Sequence, residues 1–431
     1  MSKAKTGDYV KVICEEEEFQ GILMPRPEIL EKGIVILKLD SGYNIGIDEK
    51  KIKSIELIKE HKVIEPKKTK LKHNPKLPTV SILSTGGTIS SKIDYRTGGV
   101  YADYTAEDFV SMCPELEEIA NLKAKKVMGA MSEDFTHNDW QEMAKHLLKE
   151  LNNDEVDGIV LTMGTDMMHF AAHALSFFIE DINKPILITG SQRSIDRGSS
   201  DAFMNLICSV NAAANFDYAG VAVCMHGSSD DEYCLVNRGT KVRKMHTSRR
   251  DAFRPINELP LAKVFYDGKI DILNKDYEHK SDKKAKLDSE FEEKTGLLYV
   301  YPGMDPELID FFVKRKYKGL VIAATALGHV PTNGKKSIIS NIKKAVEKGV
   351  SVVISSQTLY GAVHPYVYTN LRILSMSAGA IYVEDMHPEV AFVKLGWVLG
   401  KTDDKEKVKE MMQKNLKGER SSRRDYESFL Y

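Results

Sequence analysis

At 431 residues the chain is too long for one compact core, so two or three domains are expected. Its 42% hydrophobic and 29% charged content is ordinary for a soluble globular protein. A formal net charge of −1 excludes a chain that holds nucleic acid mainly by global charge, although a local basic face stays open.

The five cysteines are Cys14, Cys113, Cys208, Cys224 and Cys234. Their count is odd and no pair has CxxC spacing, which speaks against a disulfide framework or a zinc knuckle and for a reducing compartment. "MSKAKTGDYVKV" lacks an apolar signal core, and no apolar run approaches the roughly 20 residues that span a bilayer. A cytoplasmic protein is expected.

Residues 1–60 read as a small SH3-like β-barrel. "GDYVKVI" and "FQGILMP" are rich in β-branched and apolar residues, and "GIVILKLDSGYNIGI" holds two runs around a turn at Asp40-Ser41-Gly42. Residues 61–78 are rich in lysine and proline without apolar periodicity, and read as a linker. Its lysines could touch RNA, but a solvated linker accounts for them.

From Thr79 the pattern changes to short apolar runs alternating with amphipathic stretches. The predicted strands are "TVSILS", "DGIVLTM", "KPILITG" and "GVAVCM"; the predicted helices run over 138–151, 167–178 and 201–214. This alternation predicts an α/β domain over 79–274 with a mainly parallel sheet covered on both faces. Residues 275–295 are charged and nearly free of apolar residues, and read as a second linker. "GLLYVY", "GLVIAA" and "VSVVIS" then build a smaller α/β domain over 296–431, with a last apolar helix near 390–399.

Three of these runs end alike. "SILSTGGTIS" presents Thr85 before two glycines; "IVLTMGTDMMH" presents Thr165 and Asp166; "ILITGSQRS" presents Gly190, Ser191 and Gln192. In open α/β sheets, ligands bind beyond the carboxyl ends of strands, so these segments collect small polar groups at one edge. Glycine there lets backbone approach a ligand, and the following helix N-termini favour a carboxylate or an oxyanion. Any one of these texts is an ordinary βα turn; together they point to a small anion or amide ligand.

"TGGTI", "MGTDMMHFAAHAL", "ITGSQRS", "RKMHTSRRDAF" and "DMHPEVAFVKLGWVLG" follow in an order that resembles the asparaginase/glutaminase family of amidohydrolases, from Val80 to Leu416. The resemblance implies a larger α/β domain followed by a smaller one. It implies that Thr85 is the nucleophile, and that Thr165, Asp166 and Lys244 form the second catalytic group. A free Thr hydroxyl is a poor nucleophile and needs an activating partner. Lys244 serves Thr165 as a base if burial and a neighbouring cation such as Arg243 ease its deprotonation; Asp166 orients the lysine and grips the substrate ammonium. Amides near Gly87 or along Met163 to Thr165 would hold the oxyanion. Ser132 and Glu133, in "MSEDFT", resemble the segment that binds the substrate's α-carboxylate and α-amine, while a loop before a helix capped by Thr136 explains the same text. Gln192 is a weaker pocket candidate. The family's loop tyrosine has two counterparts, Tyr95 and Tyr101, neither at the usual spacing.

With the leading strands and the basic linker included, the chain resembles the glutaminase subunits of archaeal glutamyl-tRNA(Gln) amidotransferases, tail "GERSSRRDYESFLY" included. That resemblance implies glutamine (or asparagine) as ammonia source and a homodimer. It also implies a heterotetramer with a tRNA-binding partner, GatE, which brings the misacylated Glu-tRNA(Gln). No cofactor is expected in this chain; ATP and Mg belong to the partner. The alternatives are a free-standing cytosolic asparaginase with an accessory barrel, and a catalytically dead scaffold, which the filled catalytic positions disfavour. "GHVPTNGKKS" fails as a phosphate loop, because Lys336 stands where Ser or Thr is needed. His169 and His173 stand one helical turn apart without a third metal ligand, so packing is expected and no metal.

Overall fold

The computed structural model describes residues 4–24, 33–41, 43–60, 73–86, 113–193, 195, 200–423 and 425–431, and 91–93 and 100–102 as backbone. Five strands come first: β1 (Tyr9–Cys14), β2 (Glu18–Leu23), β3 (Ile34–Lys38), β4 (Asn44–Asp48) and β5 (Ile52–Lys59). They form an antiparallel sheet in the order β4-β3-β2-β1-β5. Period-two alternation sends Val10, Val12, Leu37 and Ile47 into its small core. Two irregularities in the β1–β5 register bend the sheet. Most of the basic linker, 61–72, lies outside the described residues.

The second sheet has eight strands: β6 (Thr79–Ser84), β7 (Asn121–Lys126), β8 (Gly158–Thr162), β9 (Pro185–Thr189), β10 (Gly220–His226), β11 (Tyr233–Arg238), β14 (Ala262–Phe265) and β15 (Ile270–Ile272). Their order is β15-β14-β11-β10-β9-β8-β6-β7. The five strands from β10 to β7 are parallel, and the other three antiparallel. A separate ribbon pairs β12 (Val242–Lys244) with β13 (Phe253–Pro255). The helices α1 (His137–Leu151) and α2 (Met168–Phe178) cover one face, and α3 (Ala202–Asn215) the other. A capping box starts α1: the Thr136 amide donates to Asp139 at 2.7 Å.

The last part stacks β16 (Thr295–Tyr299), β17 (Gly319–Ala324), β18 (Ser351–Ser356) and β19 (Ile381–Tyr382) into a fully parallel sheet. The helices α4 (Glu307–Lys314) and α5 (Ile339–Glu347) pack on it. A long apolar helix, α6 (Pro388–Lys401), joins this sheet to α2, and one hydrophobic cluster runs through Leu161, Phe177, Val321, Val353 and Trp397. The two α/β parts therefore share a core. A final helix, α7 (Lys405–Gln413), was not legible from its charged sequence.

Residues 275–295, read as a second linker, are fastened to both domains. Phe291 stacks on His137 and meets Trp140, Phe178 and Phe392 edge-on. Lys286 and Leu287 pair with Ile179 and Glu180. The partly buried Phe291 and hydrogen bonds such as that from the Asn152 side-chain amide to the Ala285 carbonyl at 3.0 Å dock the segment together.

Candidate active site

The site lies where β6, β8 and β9 end side by side. Ser84 and Thr162 are in register, so the residues that follow them leave the sheet together. Thr85 is buried, its amide donating to the Thr162 carbonyl at 3.0 Å and its hydroxyl to the same oxygen at 3.1 Å. Gly86 turns the chain with φ +113°, and a Cβ there would stand 2.8 Å from the Ala130 carbonyl oxygen. Only glycine meets both demands, which explains why bare backbone follows the hydroxyl.

After β8 the chain passes Gly164, whose missing side chain leaves room for Ser132: a Cβ would lie 2.9 Å from Ser132 Oγ. Thr165 and Asp166 come next. Lys244 Nζ donates to Thr165 Oγ1 at 2.9 Å and to Asp166 Oδ1 at 2.7 Å. The lysine side chain is 9% exposed, the aspartate 64%. The ammonium is thus sheltered along its stem and paired at a wet rim, a geometry that holds a lysine against a hydroxyl.

What places Lys244 is the ribbon. Phe253, its register partner, is fully buried, and Met245 N donates to the Ala252 carbonyl at 2.7 Å to close the turn. Asp251 then takes Arg249 at 2.7 and 2.8 Å and Arg254 at 2.6 Å. The hydrogen bonds from Arg249 hold the Asp251 carboxyl below its usual range against the effect of burial.

Of the expected substrate-binding pair, Ser132 is buried and accepts a long bond from the Met167 amide at 3.4 Å, whereas Glu133 is exposed in the same short 3₁₀ turn. Ser132 lies beside the Thr165 segment, against Gly164 and Met167. Gln192 is held through its backbone amide, which donates to Asp201 at 2.9 Å, and among the described residues its buried side-chain Nε2 has no partner. Asp201, fully buried, also takes the Arg193 amide and Asn205, and so sets this turn. Its signal in the sequence is an aspartate just before α3.

Two expectations change. The Met163 amide donates to the Thr189 carbonyl at 3.0 Å as part of the strand ladder, so it is not free for an oxyanion. Arg243, the neighbouring cation expected beside Lys244, has its charge countered by Glu389 at 2.8 Å. Burial pushes the Glu389 carboxyl up, but His387 and Arg243 outweigh it and hold the group well below the usual carboxylate range. Gly87 and Tyr95 lie outside the described residues, and so does the side chain of Tyr101.

His169 and His173 are buried on α2. The Nδ1 of His173 lies 2.6 Å from the Gly239 carbonyl, and its ring packs 4.9 Å from that of His387. Among the described residues no group of three or more His, Cys, Asp or Glu side chains is placed to hold a metal. Nor, among those residues, is any helix long and apolar enough to cross a membrane.

Comparison with known proteins agrees with this architecture. Residues 79–278 match the N-terminal asparaginase domain, 294–412 the glutaminase/asparaginase C-terminal domain, and 4–58 the GatD N-terminal domain. The D subunit of the glutamyl-tRNA(Gln) amidotransferase of Pyrococcus furiosus is 49% identical, over 96% of this chain and 94% of its own. The protein of the same name from Thermococcus kodakarensis is 47% identical over 98% and 96%, and that from Methanopyrus kandleri 42% over 96% and 91%. Among solved structures, the thermostable L-asparaginase from Thermococcus kodakarensis superposes with a TM-score of 0.72 at 27% identity, covering 80% of this chain and all of that one. The chain therefore belongs to the asparaginase family and, within it, to the glutamyl-tRNA(Gln) amidotransferase D subunits.

Proposed function

We propose that this chain releases ammonia from the side-chain amide of glutamine, with Thr85 as nucleophile, as the amidohydrolase component of a glutamyl-tRNA(Gln) amidotransferase. The observation that carries the site assignment is the contact of Lys244 Nζ with Thr165 Oγ1 and Asp166 Oδ1, one strand away from the buried Thr85.

In this reading the Thr85 oxygen forms a bond to the amide carbon as its hydroxyl proton passes through Thr165 to Lys244 in the neutral amine form, which hands it on to the leaving nitrogen. The oxyanion is met by amides of the Gly164–Thr165 turn, and the amide nitrogen leaves as ammonia once it takes up a proton. In the second half Thr165, with Lys244 in its neutral amine form, takes a proton from the water whose oxygen bonds to the acyl carbon; the proton returns to Thr85 Oγ1 as the ester bond breaks and glutamate leaves. Asp166 and Glu133 pair the substrate α-ammonium, and Ser132 donates to the α-carboxylate.

The relatives named as amidotransferase subunits imply a partner complex. We assign that partner to the tRNA-binding protein GatE, in a heterotetramer built on a homodimer of this chain. Misacylated Glu-tRNA(Gln), ATP and Mg are handled by the partner, in the cytoplasm, and this chain holds no cofactor. The neutral net charge suits that division, since the RNA-binding burden falls elsewhere.

The test follows the amide-15N of labelled glutamine in wild type and Thr85→Ala, each with and without the partner, ATP and Glu-tRNA(Gln). Transfer of label to Gln-tRNA(Gln), abolished by Thr85→Ala, is expected. Partner-independent turnover of asparagine at the same rate would instead favour a free-standing asparaginase.

A further inference from the structure

We infer that Asp385 and Glu389 are positioning residues for this reaction: from the C-terminal domain they clamp the strand that presents Lys244. The inference rests on the assignment of Lys244 to the catalytic group.

The strand needs such a clamp. β12 is three residues long and pairs with β13 alone, so the eight-stranded sheet does not hold it. Side chains alternate along a strand. Val242 and Lys244 point one way, Val242 into the core and Lys244 to Thr165. Arg243 points the other way, and both it and Lys241, the turn residue just before the strand, meet an acid from "EDMHPE". Lys241 Nζ donates to Asp385 Oδ2 at 2.7 Å, with both side chains buried. Arg243 Nε donates to Glu389 Oε1 at 2.8 Å, and the Glu389 side chain is 5% exposed. One ion pair would fix a point on the strand; a second on the turn residue that leads into it fixes its direction too, and with it the aim of the Lys244 stem.

The acids are themselves held. The second Glu389 oxygen lies 3.0 Å from His387 Nδ1, and Tyr299 Oη approaches the first at 3.4 Å. Glu389 sits in the first turn of α6, where the helix favours negative charge. Asp385 accepts the Ser421 amide at 3.0 Å. The clamp therefore joins the catalytic lysine to a rigid helix and to the tail of the other domain. A lysine 1 Å out of place costs about 100-fold in rate, so such a support is felt in turnover.

The glutaminase activity of the full chain in complex with its partner tests this, with rates taken per folded enzyme. We expect Glu389→Gln and Arg243→Gln each to lower kcat about tenfold or more with KM changed less than about threefold. The double variant should lose no more than the worse single one, because the two groups act as a unit. Glu389→Asp, which keeps the charge, should recover part of the loss. A control pair, Lys394→Met with Glu419→Gln, removes a buried ion pair that lies within the C-terminal domain; it should lower Tm and leave kcat unchanged. If Glu389→Gln does not fold, Tyr299→Phe offers the milder probe, with a smaller loss of kcat expected. The inference is overturned if Glu389→Gln keeps kcat within about twofold, if the two single losses multiply in the double variant, or if the control pair loses kcat equally. Lys244→Met separates the levels: were it active, the assignment of Lys244 itself would fail.

Discussion

Lys244 Nζ stands 2.9 Å from Thr165 Oγ1, across 79 residues of sequence. The contact puts the ribbon's Lys244 against a hydroxyl at the edge of the sheet. Lys244→Met and Thr165→Ala should each lower kcat for glutamine about 10²–10⁴-fold, the usual worth of positioned proton transfer. Asp166 is 64% exposed, so Asp166→Asn should shift stability by less than about 0.5 kcal/mol while raising KM for glutamine. Steady-state kinetics with a denaturant melt of each variant checks both statements, and an active Lys244→Met enzyme would contradict the first.

Thr85 has its hydroxyl on a main-chain carbonyl, so removing it costs stability only about 1 kcal/mol. Thr85→Ala should abolish ammonia release with the fold intact. Thr85→Ser keeps the oxygen and should keep measurable activity. Mass spectrometry of wild type quenched during turnover should find the acyl group on the peptide that contains Thr85; its appearance on another residue would move the nucleophile.

Gly190 ends β9 where neighbours crowd in. A Cβ there would lie 2.5 Å from the Met163 carbonyl oxygen, 2.9 Å from Met168 Cε and 3.1 Å from Thr165 Cγ2. The methionine can yield, but the carbonyl is main chain of Met163, whose amide is tied to Thr189, and the threonine belongs to the site. Gly190→Ala should therefore destabilise by about 1–3 kcal/mol and lower kcat as Thr165 is pushed aside. Tm and kcat at a temperature where the variant is folded are the readouts; an unchanged kcat would show that the strain relaxes away from Thr165.

Most of the regular structure could be read from periodicity. β6 ends at Ser84 as the apolar run does, and α1, α2 and α3 begin and end within one residue of the predicted bounds. The residues beyond the strand ends could be singled out too, because glycine and hydroxyl text at a sheet edge has a physical meaning. α7 escaped because only Val408 and Met412 turn inward, too few to show a period among charges. The clamp on β12 escaped for another reason. Its ion pairs join residues 144 and 146 positions apart, and an acid in a helix start looks the same whether it faces water or a buried arginine. The Met163 amide, likewise, could not be known to be engaged until the β9 register was fixed.

Acid should weaken the junction of α2 and α6 before it touches the carboxylates. Burial pushes the His169 imidazole down to about 3, and lowers His173 well below the ordinary 6.5. Around them stand His387 and Glu389 from the α6 start, Arg243 and Lys244 from β12, and the Gly239 carbonyl. The folded state thus binds fewer protons than the unfolded chain below pH 6.5, and stability, complete above that value, falls as pH falls. Each histidine contributes a slope that approaches about 1.4 kcal/mol per pH unit. Glu389, held low by its partners, adds its own loss only below its ordinary 4.5. Between pH 6.5 and 4.5 the loss should therefore follow the imidazoles. Among the described residues His169 Nδ1 has no hydrogen-bond partner, so His169→Leu leaves nothing unpaired there through that atom and should flatten the slope by about one proton. Denaturant melts at pH 7.5, 6 and 5 measure this directly, and an unchanged slope in His169→Leu would mean that another group takes up the proton.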